Sequence, residues 1–340
     1  MSSTSSVPAR PRLRLAARPT PRAGPHLTLA LCLAALSGLA SAPAPARAGG
    51  SVEPTGHDAV TAPGKPVLVR AKFEQGVLGR DLQRAKVELT FLGRTYTDLT
   101  DRDGFAEVSV TPPEAGVFPY EMRLVERPQA PPATGRVFVI APSRPVAVVD
   151  VDGTISDQSL LTVPFTGADA DTFVGAPELL RELARTYVVI YLTARDDQFE
   201  RATRGFLARH EFPDGAVIYN ELGLRDQKAR GQLLPGNHGA FKLGVIQRMR
   251  ELGLDVRVGI GNAETDAWAY EQAELKSYIL TELAGTGPSF RFTRYADLRP
   301  RLLGDGVLPA ETAEPGAEPA PSEPAPTPPA PVGPASSPPR

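Results

Sequence analysis

Residues 146 to 149 are four apolar residues in a row, and they stop abruptly at Asp150-Val151-Asp152-Gly153-Thr154. A short, wholly apolar run suits a strand buried on both faces, and such strands belong to parallel sheets covered by helices. The pattern repeats. Strands are expected at 146–150, 187–192, 216–219, 256–260 and 277–280, and amphipathic helices at 176–185, 197–210, 239–252, 265–273 and 294–302. This alternation makes the region from about 143 to 305 an α/β domain with a parallel, Rossmann-like sheet. In such sheets ligands meet the protein beyond the carboxyl ends of the strands, which directs attention to the residues just after each apolar run.

Four groups of polar residues stand at those ends. Asp150 and Asp152 close the first strand, and Thr193 and Arg195 close the second in "YLTARDD". Lys242 opens a helix in "GAFKLGVIQRM", and Asn262 with Asp266 follows the fourth strand in "GIGNAETDAWAY". Together they match the needs of phosphoryl transfer through an aspartyl phosphate. One carboxylate must attack phosphorus, which suits Asp150. A second must protonate the leaving oxygen and then activate water, which suits Asp152 two positions on, with Gly153 keeping the backbone close. Repulsion between phosphate and carboxylate calls for Mg²⁺ and oxygen ligands, assigned to Asp150, Asp266, the main-chain carbonyl of Asp152 and the side-chain oxygen of Asn262. Thr193, Arg195 and Lys242 are the candidate ligands of the substrate phosphate.

Each assignment has a plainer rival. Thr193 could simply end a strand, and Arg195 could pair with Asp196 or Asp197 instead of substrate. Lys242 could be a solvated lysine on an amphipathic helix, with Lys228 as a spare candidate. His238 is read as lying in a loop that leads into a helix, and Trp268 and Tyr270 as packing residues.

The order "DVDGT", "T", "K", "GNAETD" resembles the haloacid dehalogenase (HAD) superfamily of phosphatases. The segments "VVDVDGTISDQS", "VIYLTARDDQFERATRGFLARHEFPDGAVIY", "FKLGVIQRM" and "GIGNAETDAWAY" are similar to the catalytic domain of lipin phosphatidate phosphatases. They are also similar to the related C-terminal domain of membrane-associated phosphatidylinositol transfer proteins. The resemblance implies Asp150 as nucleophile, Asp152 as general acid and base, Thr193 and Lys242 at phosphate, and Asp266 with Asn262 at magnesium. The intervals from Thr154 to Thr193 and from Arg195 to Lys242 are largely used by a helix and a strand, so the domain is read as capless, with an open site. The expected activity is Mg²⁺-dependent hydrolysis of a phosphorylated substrate, with a membrane lipid such as phosphatidic acid the first candidate. The alternatives are a non-catalytic module that binds phosphatidic acid or phosphate, and a capless phosphatase of soluble or protein phosphates. An adhesin-like protein whose phosphatase fold is vestigial is a further rival.

Residues 49–142 read differently. Short alternating runs at 66–73, 85–93, 94–100, 104–110, 118–125 and 136–142, separated by Gly, Pro and Asp, predict a small all-β immunoglobulin-like sandwich. Asp101 and Asp103 beside Gly104 read as a tight turn before they read as a calcium site.

The first 48 residues contain six arginines and no acid, then an apolar stretch from Leu27 to about Ala42 and "PARAGG". This predicts a signal peptide cleaved after Ala48 and a secreted or periplasmic chain; an organelle transit peptide is the rival. The only cysteine, Cys32, lies inside that segment. Without it the chain carries 31 basic and 39 acidic residues, about −8, which argues against a nucleic-acid partner. Residues 306–340, rich in Pro, Ala and Glu, read as a disordered tail. Oligomeric state leaves no trace in the sequence.

Overall fold

In the computed structural model, residues 51–76, 79–157, 170–220 and 235–310 are described. The expected signal peptide, most of the expected tail and Lys228 lie outside these residues.

The apolar runs form a six-stranded parallel sheet. The N-terminal region contributes nine strands, so the strands here are β10 (Val146–Val149), β11 (Val188–Asp196), β12 (Ala216–Asn220), β13 (Val256–Gly261), β14 (Lys276–Leu280) and β15 (Phe290–Phe292). Their spatial order is β12-β11-β10-β13-β14-β15, and every neighbouring pair is parallel. The chain runs outward from β10 to one edge, returns, and fills the other side from β13. The reversal between β10 and β13 is the switch point, where the loops leaving two adjacent strands diverge and open a crevice. The helices are α1 (Ala176–Ala184), α2 (Glu200–Arg209), α3 (Pro235–Glu251), α4 (Glu264–Gln272) and α5 (Tyr295–Gly304).

Both sheet faces are buried, as the continuous apolar runs require. One face packs Ala147, Val149, Tyr191 and Ile260 with Leu180 and Leu183 of α1 and Leu298 and Leu302 of α5. The other packs Val148, Ile190 and Ile279 with Ile246 and Met249 of α3 and Ala269 and Tyr270 of α4. Val307 and Leu308, assigned to the tail by composition, are buried in the first of these cores.

The N-terminal region is all β, in two sheets. One joins β1 (Val52–Gly56), β3 (Val67–Gln75), β4 (Arg80–Asp81) and β7 (Phe105–Val110). The other orders β2 (Ala59–Thr61), β9 (Ala133–Val139), β8 (Gly116–Leu124), β5 (Lys86–Phe91) and β6 (Arg94–Leu99). Both contribute to one core that includes Val69, Phe73, Leu89 and Met122. The pairing is antiparallel except for β2 with β9. Asp101 makes the expected turn, its Oδ1 accepting the amides of Asp103 and Phe105 at 2.9 Å.

The change of pattern near 142 is a change of sheet, and the described residues of the two regions pack together. Val60, Ala62, Phe138 and Ile140 of the β region pack in the same core as Val146 and Ile190. Buried Asp58 joins the parts by accepting the amides of Arg136 (3.0 Å) and Val217 (3.1 Å) and pairing with Arg204 of α2 at 3.0 Å.

Candidate functional site

β10 ends at Val149 because Asp150 turns the chain. The Asp150 amide still donates to Ile260 of β13 at 2.9 Å, so the loop after it stays beside the end of that strand. Ile155 and Ser156 then donate back to the Val151 carbonyl, closing a tight loop. Gly153 has φ 69°, and a Cβ there would lie 2.2 Å from Asn262 Nδ2, so only glycine lets the two loops approach this closely. Tyr295 of α5 braces the loop from below by donating to the Thr154 carbonyl at 2.8 Å.

Asp150 is 4% exposed and Lys242 3%. The Lys242 ammonium donates to Asp150 Oδ1 at 2.6 Å and to Asp266 Oδ1 at 2.5 Å, tying together residues 92 and 24 positions away. Thr154 Oγ1 donates to Asp150 Oδ2 at 2.9 Å and lies 3.3 Å from Asn262 Oδ1. Asp266 is fixed in turn, its Oδ2 accepting the amides of Asn262 and Ala263 at 3.1 Å.

A second cluster adjoins the first. Asp152 accepts from Thr193 Oγ1 at 3.2 Å and from Arg195 Nε at 2.5 Å, while Arg195 Nη2 donates to its other oxygen. The Arg195 amide donates back to Thr193 Oγ1 at 3.2 Å.

Three carboxylates, Asp150, Asp152 and Asp266, therefore share two cations. Burial pushes the Asp150 carboxyl up to about 7 against the pull of Lys242, and Asp266 and Asp152 push it the same way. Burial alone would lower the Lys242 ammonium, but Asp150 and Asp266 hold it above its ordinary range. A simple ion pair would move its acid down; here crowding of like charge and loss of water prevail at Asp150.

Among the described residues no three acidic, histidine or cysteine side chains surround one point. A cation would take two carboxylates, Asp150 and Asp266, and complete its shell with neutral oxygens, Asn262 Oδ1 and the Asp152 carbonyl. That all-oxygen set with few carboxylates suits Mg²⁺, which keeps water and substrate phosphate among its ligands.

All seven sequence-predicted residues, Asp150, Asp152, Thr193, Arg195, Lys242, Asn262 and Asp266, thus stand at the ends of β10, β11 and β13 or on α3 and α4 beside them. Three details need correcting. Lys242 does not open its helix: α3 begins at Pro235, so Lys242 lies about two turns in, and His238 is helical rather than in a loop. Arg195 pairs with Asp152, a partner that the sequence reading does not offer. Trp268 is 45% exposed, whereas Tyr270 is packed as expected. Thr154 and Tyr295 were missed as site residues; the first was legible in the "DGT" run, the second carries no local signal.

Residues 147–280 match the family described as PITM 1-3, LNS2 domain. This region resembles a lipin-like LNS2 domain. Membrane-associated phosphatidylinositol transfer protein 1 of Homo sapiens is 25% identical over 173 residues, 48% of this chain and 14% of that protein. Protein retinal degeneration B of Drosophila melanogaster is 24% identical over 177 residues, again 48% of this chain and 14% of that one. The chain thus matches about one seventh of the length of these relatives. Among solved structures, class C acid phosphatase from Bacillus anthracis with tungstate bound covers 36% of this chain and 54% of its own at 16% identity, with a TM-score of 0.26. A likeness that low carries no inference about chemistry.

Proposed function

We propose that residues 143–305 form a capless phosphatase domain of the HAD type that hydrolyses phosphomonoesters through a phosphorylated Asp150, with Mg²⁺ as cofactor. The observation that carries this reading is the buried Asp150–Lys242–Asp266 bridge at the switch point, beside Asp152 with its Thr193 and Arg195 partners.

In the first half-reaction an Asp150 oxygen bonds to phosphorus, the bond to the ester oxygen breaks, and Asp152 delivers a proton to that departing oxygen. In the second, Asp152 takes a proton from water, the water oxygen bonds to phosphorus, and the acyl phosphate opens to free phosphate and Asp150. Lys242 neutralises Asp150 and holds it in line with its substrate, and Thr154 fixes the carboxylate's other oxygen. Thr193 orients Asp152. Asp150, Asp266, Asn262 and the Asp152 carbonyl would hold Mg²⁺, which would supply positive charge to offset repulsion between phosphate and carboxylate.

Phosphatidic acid is the first substrate to try, because the matched relatives are named as membrane-associated lipid transfer proteins. We place the β region, 49–142, as an immunoglobulin-like domain, the segment beyond the buried Val307 and Leu308 as a tail, and residues 1–48 as an export signal that leaves the enzyme secreted or periplasmic.

The test is phosphate release by the full-length chain from phosphatidic acid vesicles and from soluble phosphomonoesters, with and without Mg²⁺. Turnover that needs Mg²⁺ and disappears in Asp150→Asn is expected, with vesicles preferred. Equal rates on soluble esters would end the lipid assignment. A second reading, a phosphate-binding module without turnover, is favoured by one observation: both Asp152 oxygens accept from Thr193 or Arg195, so the carboxylate is tied to donors of the protein. Vesicle binding without any phosphate release would establish it.

A further inference from the structure

The engagement of Asp152 suggests more than a resting geometry. β11 runs in register with β12 through Leu192 and then shifts before Asp196, so the backbone is irregular across the three residues that include Thr193 and Arg195. Such irregularities re-aim side chains at strand ends. The one here turns Arg195 onto Asp152, where its side chain is only 2% exposed. The guanidinium spends two of its three nitrogens on Asp152, and the third, Nη1, is buried without a hydrogen-bond partner among the described residues. Phe199 faces the guanidinium with its ring centroid at 5.9 Å and offers it no acceptor. A buried cationic donor left over beside an anion-binding crevice is a place for an acceptor to arrive.

We propose that Arg195 is an exchangeable clamp: it holds Asp152 until a phosphomonoester enters, then transfers its fork to the phosphate and releases the Asp152 carboxyl toward the leaving oxygen. The clamp rests on the phosphatase reading of Asp150 and Asp152. The exchange is favourable because a dianionic phosphate offers three oxygens and about twice the charge of one carboxylate, and a guanidinium fork grips two of those oxygens at once. Thr193, bonded to Asp152 independently of Arg195, keeps the freed carboxyl in place. A phosphodiester, with a single charge, competes no better than Asp152 does, so the clamp also selects monoesters over diesters. The conflict between a catalytic Asp152 and a fully engaged one then disappears, since the engaged form is the substrate-free form.

The test is calorimetric titration of inorganic phosphate into four full-length proteins at one pH and one Mg²⁺ concentration: wild type, Asp152→Asn, Arg195→Ala and the double variant. Removing the Asp152 charge tightens phosphate in either background. Exchange predicts that the gain is about tenfold larger when Arg195 is present, because only then does Asp152→Asn also free the fork, a coupling of the size seen between contacting charges. Equal gains in both backgrounds overturn the clamp and leave the phosphatase reading standing. If none of the four proteins binds phosphate, both readings fall together. A second measurement needs no variant: the Arg195 Nε nitrogen resonance of the wild type is expected to move as phosphate saturates, and a stationary resonance at saturation overturns the exchange.

Discussion

Asp150 occupies a position where burial and the carboxylates of Asp266 and Asp152 work against its charge, and Lys242 works for it. Lys242 reaches it from α3 and Thr154 from four residues on. Lys242 also satisfies Asp266, so its loss strands two buried carboxylates. Lys242→Met is therefore expected to lose about 3–5 kcal/mol of stability, the usual penalty for breaking a buried ion pair from one side, together with turnover. Urea denaturation at pH 7 without metal measures the first. Unchanged stability would mean that the bridge is not a fixed part of the fold. Most of this site was legible residue by residue, because acids, Thr193, Lys242 and Asn262 stand at the ends of apolar runs. The partner of Arg195 was not. Asp152 lies 43 positions away, a distance over which sequence pattern is silent.

At the scale of elements, α3 carries His238 and Lys242 four residues apart, hence on one side of the helix. Burial, and then the Lys242 charge, hold the His238 imidazole below its usual 6.5, with Asp266 pulling the other way. A base whose folded value is lowered contributes stability that is present above its free value and is lost as pH falls through the folded value. Wild type should therefore lose melting temperature relative to His238→Gln as pH is lowered from 7 to 5. A difference that does not change with pH would contradict this. The sequence missed the start of α3 because Gly236, Asn237 and Gly239 are poor helix formers, and tertiary packing overrode them. β15 was missed for another reason. It has only three residues, too few to show a period. The long apolar strands, by contrast, announced a buried parallel sheet from their composition alone.

At the scale of the whole molecule, the β region and the parallel sheet share a core and a buried polar junction. Asp58 binds Arg136, Val217 and Arg204, and His57 Nε2 lies 3.0 Å from Asp197, two residues beyond Arg195. These contacts span up to 159 positions, a distance over which sequence pattern gives no sign that the two regions are joined. Asp58→Ala leaves two amides without their acceptor and takes from Arg204 one of its two carboxylate partners. It should therefore lower the unfolding midpoint reported by Trp268, the only tryptophan, although that residue lies on α4 and not in the β region. The expected loss is about 3–5 kcal/mol. A Trp268 midpoint that stays in place while β-sheet circular dichroism melts earlier would show that the two regions unfold independently.

The most direct test of the chemistry is to quench turnover in acid and locate the covalent phosphate by peptide mass mapping. Asp152→Asn, given an aryl phosphate whose leaving group departs without a proton, forms the intermediate but opens it about 10²–10⁴-fold more slowly if Asp152 is the general base, which favours trapping it. A phosphorylated Asp150 in the trapped protein, absent from Asp150→Asn, is the predicted result. Phosphate release that persists in Asp150→Asn, or a phosphoryl group on any other residue, would contradict it.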